Sequence, residues 1–154
     1  MSDAVMLDRA YTAIRNRIVG TGRAPHYTEL AAELGVPLEE ARGLLHELVT
    51  ITPGWMHPGT DYLASFPPFN LQPTQYRVLV DDDDRWYAQC GFEALAVRWL
   101  FPGRRVRIEA PCLCCGEPMT IEMIDEEIEV VAPDGMVGYT ASEVGGDPAT
   151  RPFR

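Results

Sequence analysis

Leu7, Tyr11, Ile14 and Ile18 recur at three- and four-residue steps over residues 4–19, and this spacing predicts an amphipathic helix with one buried face. After the loop GTGRAP a second helix is expected from about Tyr27 to Leu34, with Thr28 as its cap and Gly35 as its end. A third follows almost at once, with Pro37 in its first turn and Leu38, Ala41, Leu44, Leu45 and Leu48 facing the core. The pattern then changes period. Tyr76–Val80 and Arg85–Ala88 read as the two strands of a hairpin around Asp81, Asp82, Asp83 and Asp84. In GFEALAVRWLF the helical spacing returns, with Phe92, Leu95, Ala96 and Trp99 as the apolar face and Pro102-Gly103 as the stop. Alternation then marks three more strands, around Val106 and Ile108, Ile121 and Met123, and Ile128 and Val130, with a turn at Pro133-Asp134-Gly135.

These elements define an α+β chain: an N-terminal winged-helix-like helical module over residues 1–65, a Pro-rich linker over 66–75, and a small, mostly antiparallel β-sheet domain with one central helix over 76–154. The two short helices around the LGVP turn, followed by TPGWMHPGTDYLASF, have the order of a helix-turn-helix with a wing-like hairpin. The outward positions of its third helix are Glu39, Glu40, Arg42, His46 and Glu47, a mostly acidic set where a groove reader needs Arg, Lys, Asn or Gln. The module therefore reads as packing rather than DNA recognition. The tail VGGDPATRPFR reads as irregular.

Charge supports that reading. The 23 acidic against 13 basic residues leave a formal net charge of -10, which argues against a phosphate-backbone partner and leaves small molecules, metal ions and proteins. The run of four aspartates lacks the alternating spacing and turn glycine of a calcium loop, so it reads as a solvated hairpin tip with mutually repelling charges. No membrane-spanning run or secretory leader is legible, and a cytoplasmic protein without a membrane partner is expected.

Four cysteines carry the candidate chemistry. Cys90 ends a strand and opens a helix in YAQCGFEALAV, where unpaired backbone N–H groups favour a thiolate, and Glu93 falls in the first turn within proton-exchange reach. On position alone, the plainer reading of a small buried hydrophobe beside a capping glutamate is favoured. Cys112, Cys114 and Cys115 stand together in PCLCCGEPMT. Cys112-x-x-Cys115 followed by Gly116 has the form of half a zinc knuckle, so a closed tetrahedral site would have to recruit Cys90. Adjacent thiols equally suit a soft ion such as Hg(II) or Cu(I).

The run RWYAQCGFEALAVRWLFPGRRVRIEAPCLCCGEPMTIEM, continued by EIEVVAPDGMVGYT, resembles the core of the organomercurial (alkylmercury) lyases over about residues 75–142. The resemblance implies that Cys90 is the catalytic cysteine, that Glu93 takes the place of a catalytic aspartate, and that Cys112 has a structural role ahead of the turn Gly116-Glu117-Pro118. It also implies an N-terminal winged-helix-like module. The implied activity is protonolysis of a carbon–mercury bond: thiolates hold the mercury, a carboxyl group delivers a proton to carbon, and Hg(II) stays on sulfur until a low-molecular-weight thiol removes it. No cofactor is required for this.

The chain departs from the family pattern at Glu93, one methylene longer than Asp, and in having no cysteine after Cys115 where the family supplies a second catalytic one. Cys114 or Cys115 is expected to stand in, giving Cys90 and Glu93 as catalytic residues and Cys90, Cys112, Cys114 and Cys115 as metal ligands. Two other classes stay open: a non-catalytic thiolate protein that binds zinc, copper or mercury, and a metal-sensing winged-helix regulator.

Overall fold

The computed structural model describes residues 3–139, so the tail VGGDPATRPFR lies outside the described residues. The chain divides into two compact units, Met1–Pro67 and Pro68–Arg154. The first holds α1 (Ala4–Thr21), α2 (Tyr27–Leu34), α3 (Leu38–Ile51) and the antiparallel pair β1 (Trp55–Met56) and β2 (Leu63–Phe66). Its core is Ala10, Ile14 and Ile18 from α1, Leu30 from α2, and Ala41, Leu44, Leu45 and Leu48 from α3, with Phe66 fully buried beneath Tyr11.

Two details of this unit differ from the sequence expectation. The α2 cap is His26, not Thr28: its imidazole accepts from the Thr28 N–H while Glu29 reaches back to the His26 N–H, a reciprocal box that satisfies both orphan donors. Leu38 is 52% exposed, because it occupies the first turn of α3 before that helix meets the core. On the same helix Arg42 and His46 both bond to Asp61, at 3.0 and 2.6 Å, so the basic groups are already paired with the carboxylate of the β1–β2 loop.

A Cβ at Gly54 would lie 2.9 Å from the Ser65 carbonyl oxygen, inside the hairpin where backbone cannot give. Gly54→Ala is therefore expected to destabilise this unit by about 1–3 kcal/mol, measured as a lower midpoint in urea unfolding; an unchanged midpoint would mean that the hairpin adjusts freely.

The second unit is an antiparallel sheet with one short helix. Its strands are β3 (Phe69–Asn70), β4 (Arg77–Val80), β5 (Asp83–Ala88), β6 (Arg105–Pro111), β7 (Pro118–Ile124) and β8 (Glu127–Ala132), in the order β3-β5-β4-β6-β7-β8. The α+β class expected from the sequence is thus the observed one. The stretch 66–75, read as a linker, is partly built in: Phe66 closes β2 and Phe69–Asn70 pair with β5, with all three residues buried. Pro67-Pro68 interrupt pairing only locally, so short strands form on both sides.

Alternation separates the faces of this sheet. Val78, Trp86, Ala88, Val106, Ile108 and Met123 are buried on one side, against which α4 (Gly91–Ala96) and a 3₁₀ turn (Val97–Leu100) contribute Ala94 and Val97, with Phe101 edge-on to Trp86 at 5.0 Å. The expected apolar face of that helix was misphased. Phe92 and Trp99 are 60% and 63% exposed, since α4 gives way to the tighter 3₁₀ turn after six residues and the 3.6-residue period does not persist.

The opposite face carries a ladder of charges: Arg77 to Glu109 (3.0 Å), Arg107 to Glu109 (3.2 Å), Arg105 to Glu122 (3.3 Å) and Arg105 to Glu129 (3.0 Å). The aspartate hairpin joins it. Asp81 and Asp82 occupy the left-handed region at φ 49° and 69°, which aspartate tolerates in a tight turn. Instead of simply repelling, the four carboxylates each meet an arginine: Asp81 with Arg104, Asp82 with Arg107, Asp83 with Arg85, and Asp84 with Arg77. Strand β8, at the far edge, is exposed along its whole length, Ile128 and Val130 included. Among the described residues no helix is long and apolar enough to cross a membrane.

Candidate active site

Cys90 is the N-cap of α4, in extended conformation two residues beyond the end of β5. The backbone N–H groups of Glu93 and Phe92 face its sulfur without forming a side-chain cap bond, and the sulfur is hydrogen-bonded to the Glu93 side chain. The N–H groups favour the thiolate, as the sequence led one to expect, but they do not win. Half-burial of the sulfur is the largest influence, and with the neighbouring negative Glu93 it pushes the Cys90 thiol up from its ordinary value. Cys90 therefore holds its proton in the resting protein.

Glu93 accepts the hydrogen bond of that thiol. Burial raises its carboxyl from 4.5 to about 7, while the hydrogen bond from Cys90 pulls modestly the other way. Its Oε2 is sealed from solvent with no hydrogen-bond partner. A neutral carboxyl tolerates this position far better than a carboxylate, which is the physical cause of the shift. Thiol and carboxyl thus form one hydrogen-bonded unit in which the proton rests on sulfur and burial has raised the proton affinity of the carboxyl beside it. The capping alternative does not describe this side chain, because Glu93 engages sulfur.

Tyr76 packs beside Gly91 and is not among the residues singled out from sequence. It precedes β4, is 7% exposed, and its ring lies 3.6 Å from where a Cβ on Gly91 would stand. Burial raises its phenol, a hydrogen bond from Gln75 opposes the rise, and the nearby Cys90 adds to it. Its signal lay in pairing rather than periodicity: the start of β4 is the segment that must face the end of β5, and Ala88 N–H bonds to the Tyr76 carbonyl at 3.0 Å.

The other thiols sit on the β6–β7 connection. Cys112 N–H bonds to the Glu117 carbonyl and Gly116 N–H to the Cys112 carbonyl, each at 2.8 Å, with Gly116 at φ 77°. The loop so closed turns the Cys114 and Cys115 N–H groups onto the Cys112 sulfur, and Cys115 bonds to it as well, holding the Cys112 thiol below its ordinary value. Cys112 is half-buried; Cys114 and Cys115 are exposed.

Register relates the two groups. Arg77 faces Tyr87 on β5 and Glu109 on β6, and a cysteine follows three residues after each. Cys90 and Cys112 thus leave the sheet at the same end, flanking the start of β4, with backbones two strand spacings or roughly 10 Å apart. Among the described residues no three His, Cys, Asp or Glu side chains are gathered to hold a metal ion. The described residues include Cys90, Cys112, Cys114 and Cys115, the set expected from the sequence. The intervening strand keeps Cys90 with Glu93 and Cys112 with Cys115.

Fold and site together define a thiol–acid pair: an α+β sheet that brings one sulfur and one largely buried carboxyl side by side. The family model of alkylmercury lyase (MerB) matches residues 69–150, and the chain belongs to that family. Among solved structures it is similar to one described as "Crystal structure of the mercury-bound form of MerB2", with a TM-score of 0.64 and 15% identity over 82% of this chain. At that identity the likeness is one of fold. The chain spans 61% of the length of that structure.

Proposed function

We propose that this protein cleaves carbon–mercury bonds by protonolysis, with Cys90 as the mercury-binding thiol and Glu93 as the proton carrier. The observation that carries the reading is the hydrogen bond between the half-buried Cys90 thiol and a carboxyl held at about 7. An R–Hg⁺ cation arriving at sulfur displaces the thiol proton, and Glu93, already the acceptor of that hydrogen bond, takes it. The carboxyl then gives this proton to the carbon. A C–H bond forms as the C–Hg bond breaks, R–H leaves, Glu93 returns to carboxylate, and Hg(II) stays on Cys90 with its second position filled by an external thiol. No electrons change hands. Burial of Glu93 serves the step, because a desolvated carboxylate is a stronger base toward the thiol proton.

Family membership and the mercury-bound relative support mercury as the electrophile; its removal by small thiols belongs to the proposal. Incubation with phenylmercury acetate and excess small thiol tests the reading directly. Benzene is expected to accumulate over many turnovers per chain; absence of benzene above the protein-free rate would overturn it.

A further inference from the structure

Cys112 and Cys115 remain unused by that mechanism, yet their loop is built around them. Two backbone hydrogen bonds of 2.8 Å close it, Gly116 supplies the left-handed turn, and two N–H groups together with the Cys115 side chain converge on the Cys112 sulfur. An inert surface turn has no need to aim donors at a sulfur, whereas a loop that holds a metal-bound thiolate does. Ligand count selects the guest. Two facing sulfurs with no third side-chain ligand among the described residues do not make a zinc site, but they meet the two-coordinate, linear preference of a soft ion such as Hg(II). The exposure of Cys115 leaves the pair open to exchange with solvent thiols.

We propose that Cys112 and Cys115 form a second soft-metal site, separate from Cys90, that accepts Hg(II) from it. Binding as such is independent of the lyase reading; the transfer rests on it. In the transfer the two sulfurs replace Cys90 and the external thiol on mercury: two S–Hg bonds form, two break, the Cys112 and Cys115 protons leave with the two displaced sulfurs, and no oxidation occurs. Cys90 and Cys112 leave the same end of the sheet, so the ion crosses only the start of β4.

The test begins with Cys90→Ser protein and mercuric chloride, with affinity read by competition against a small dithiol. One tightly held Hg(II) per chain is expected. Adding Cys115→Ser, at an exposed position where folding is not at stake, is expected to weaken binding by about 100-fold or more through loss of the second, intramolecular ligand. Adding Cys114→Ser instead is expected to leave the affinity in place. Retention of tight binding in the Cys115→Ser protein, or an equal loss with Cys114→Ser, overturns the assignment. For the transfer, the wild-type chain is given half an equivalent of phenylmercury and then alkylated and mass-mapped. Protection of Cys112 and Cys115 with Cys90 free is expected, and protection of Cys90 overturns it. Because the mercuric chloride arm measures no hydrocarbon, its failure leaves protonolysis standing, and absence of benzene leaves the binding result standing.

Discussion

Cys90→Ser is expected to bring benzene release from phenylmercury down to the protein-free rate, a loss of at least about 1,000-fold, with the fold intact. The chemistry requires a soft ligand that surrenders its proton to Glu93 on meeting mercury. A hydroxyl does neither, since its proton is held far more tightly and its oxygen binds mercury weakly. No sulfur nearby takes over, because Cys112 leaves the sheet two strands away and is committed to its own loop. Stability is expected to be preserved for a local reason: Cys90 is the N-cap of α4 and makes no side-chain cap bond, whereas serine is among the favoured N-cap residues. The variant thus separates chemistry from folding. Benzene release within tenfold of wild type, from protein with an unchanged unfolding midpoint, would remove Cys90 from the reaction.

What the sequence disclosed about this site follows from how each residue is held. Cys90 and Glu93 were legible because their relation is local: a strand–helix junction and a three-residue step bring them together in any fold that keeps those elements. Their proton affinities were not. The expected thiolate depended on nearby N–H donors, which are present, but burial outweighs them, and burial is a property of the packed sheet. Tyr76 was missed for the same reason, being brought to Cys90 by strand pairing and not by proximity in the chain. The four-sulfur set depends on the topology between its parts. Spacing alone showed that Cys112, Cys114 and Cys115 share a loop, but only the strand order, with β4 between β5 and β6, showed that Cys90 stands apart. Strand periodicity holds for Val106, Ile108 and Met123 because alternation reports one buried face directly, while β8 alternates but stays exposed at the sheet edge and the GFEALAVRWLF face is misphased where α-helix yields to a 3₁₀ turn.

Glu93→Gln is expected to cut benzene release by about 100- to 10,000-fold, the usual worth of a positioned proton carrier, and to change how stability responds to pH. The sign follows from the direction of the shift. The folded-state carboxyl sits at about 7, above the unfolded value of 4.5, so the fold prefers the protonated form. That preference contributes stability fully below 4.5 and is lost as pH rises through 7, because above it a carboxylate occupies a place where Oε2 has no partner. Glutamine keeps the shape and never ionises. Relative to wild type, the Gln variant should therefore gain about 1–3 kcal/mol between pH 5 and pH 9, read from urea midpoints at the two pH values. Glu93→Asp separates the two effects from the other side: it retains an acid one methylene shorter, and displacement of the carboxyl by about an ångström should hold the loss to about 100-fold. A proton carrier poised near 7 also predicts that wild-type benzene release, once mercury is bound, falls as alkaline pH strips the carboxyl of its proton. A Gln variant that matches wild-type turnover would exclude Glu93 from the reaction, and parallel stability–pH curves would exclude a buried carboxyl at about 7.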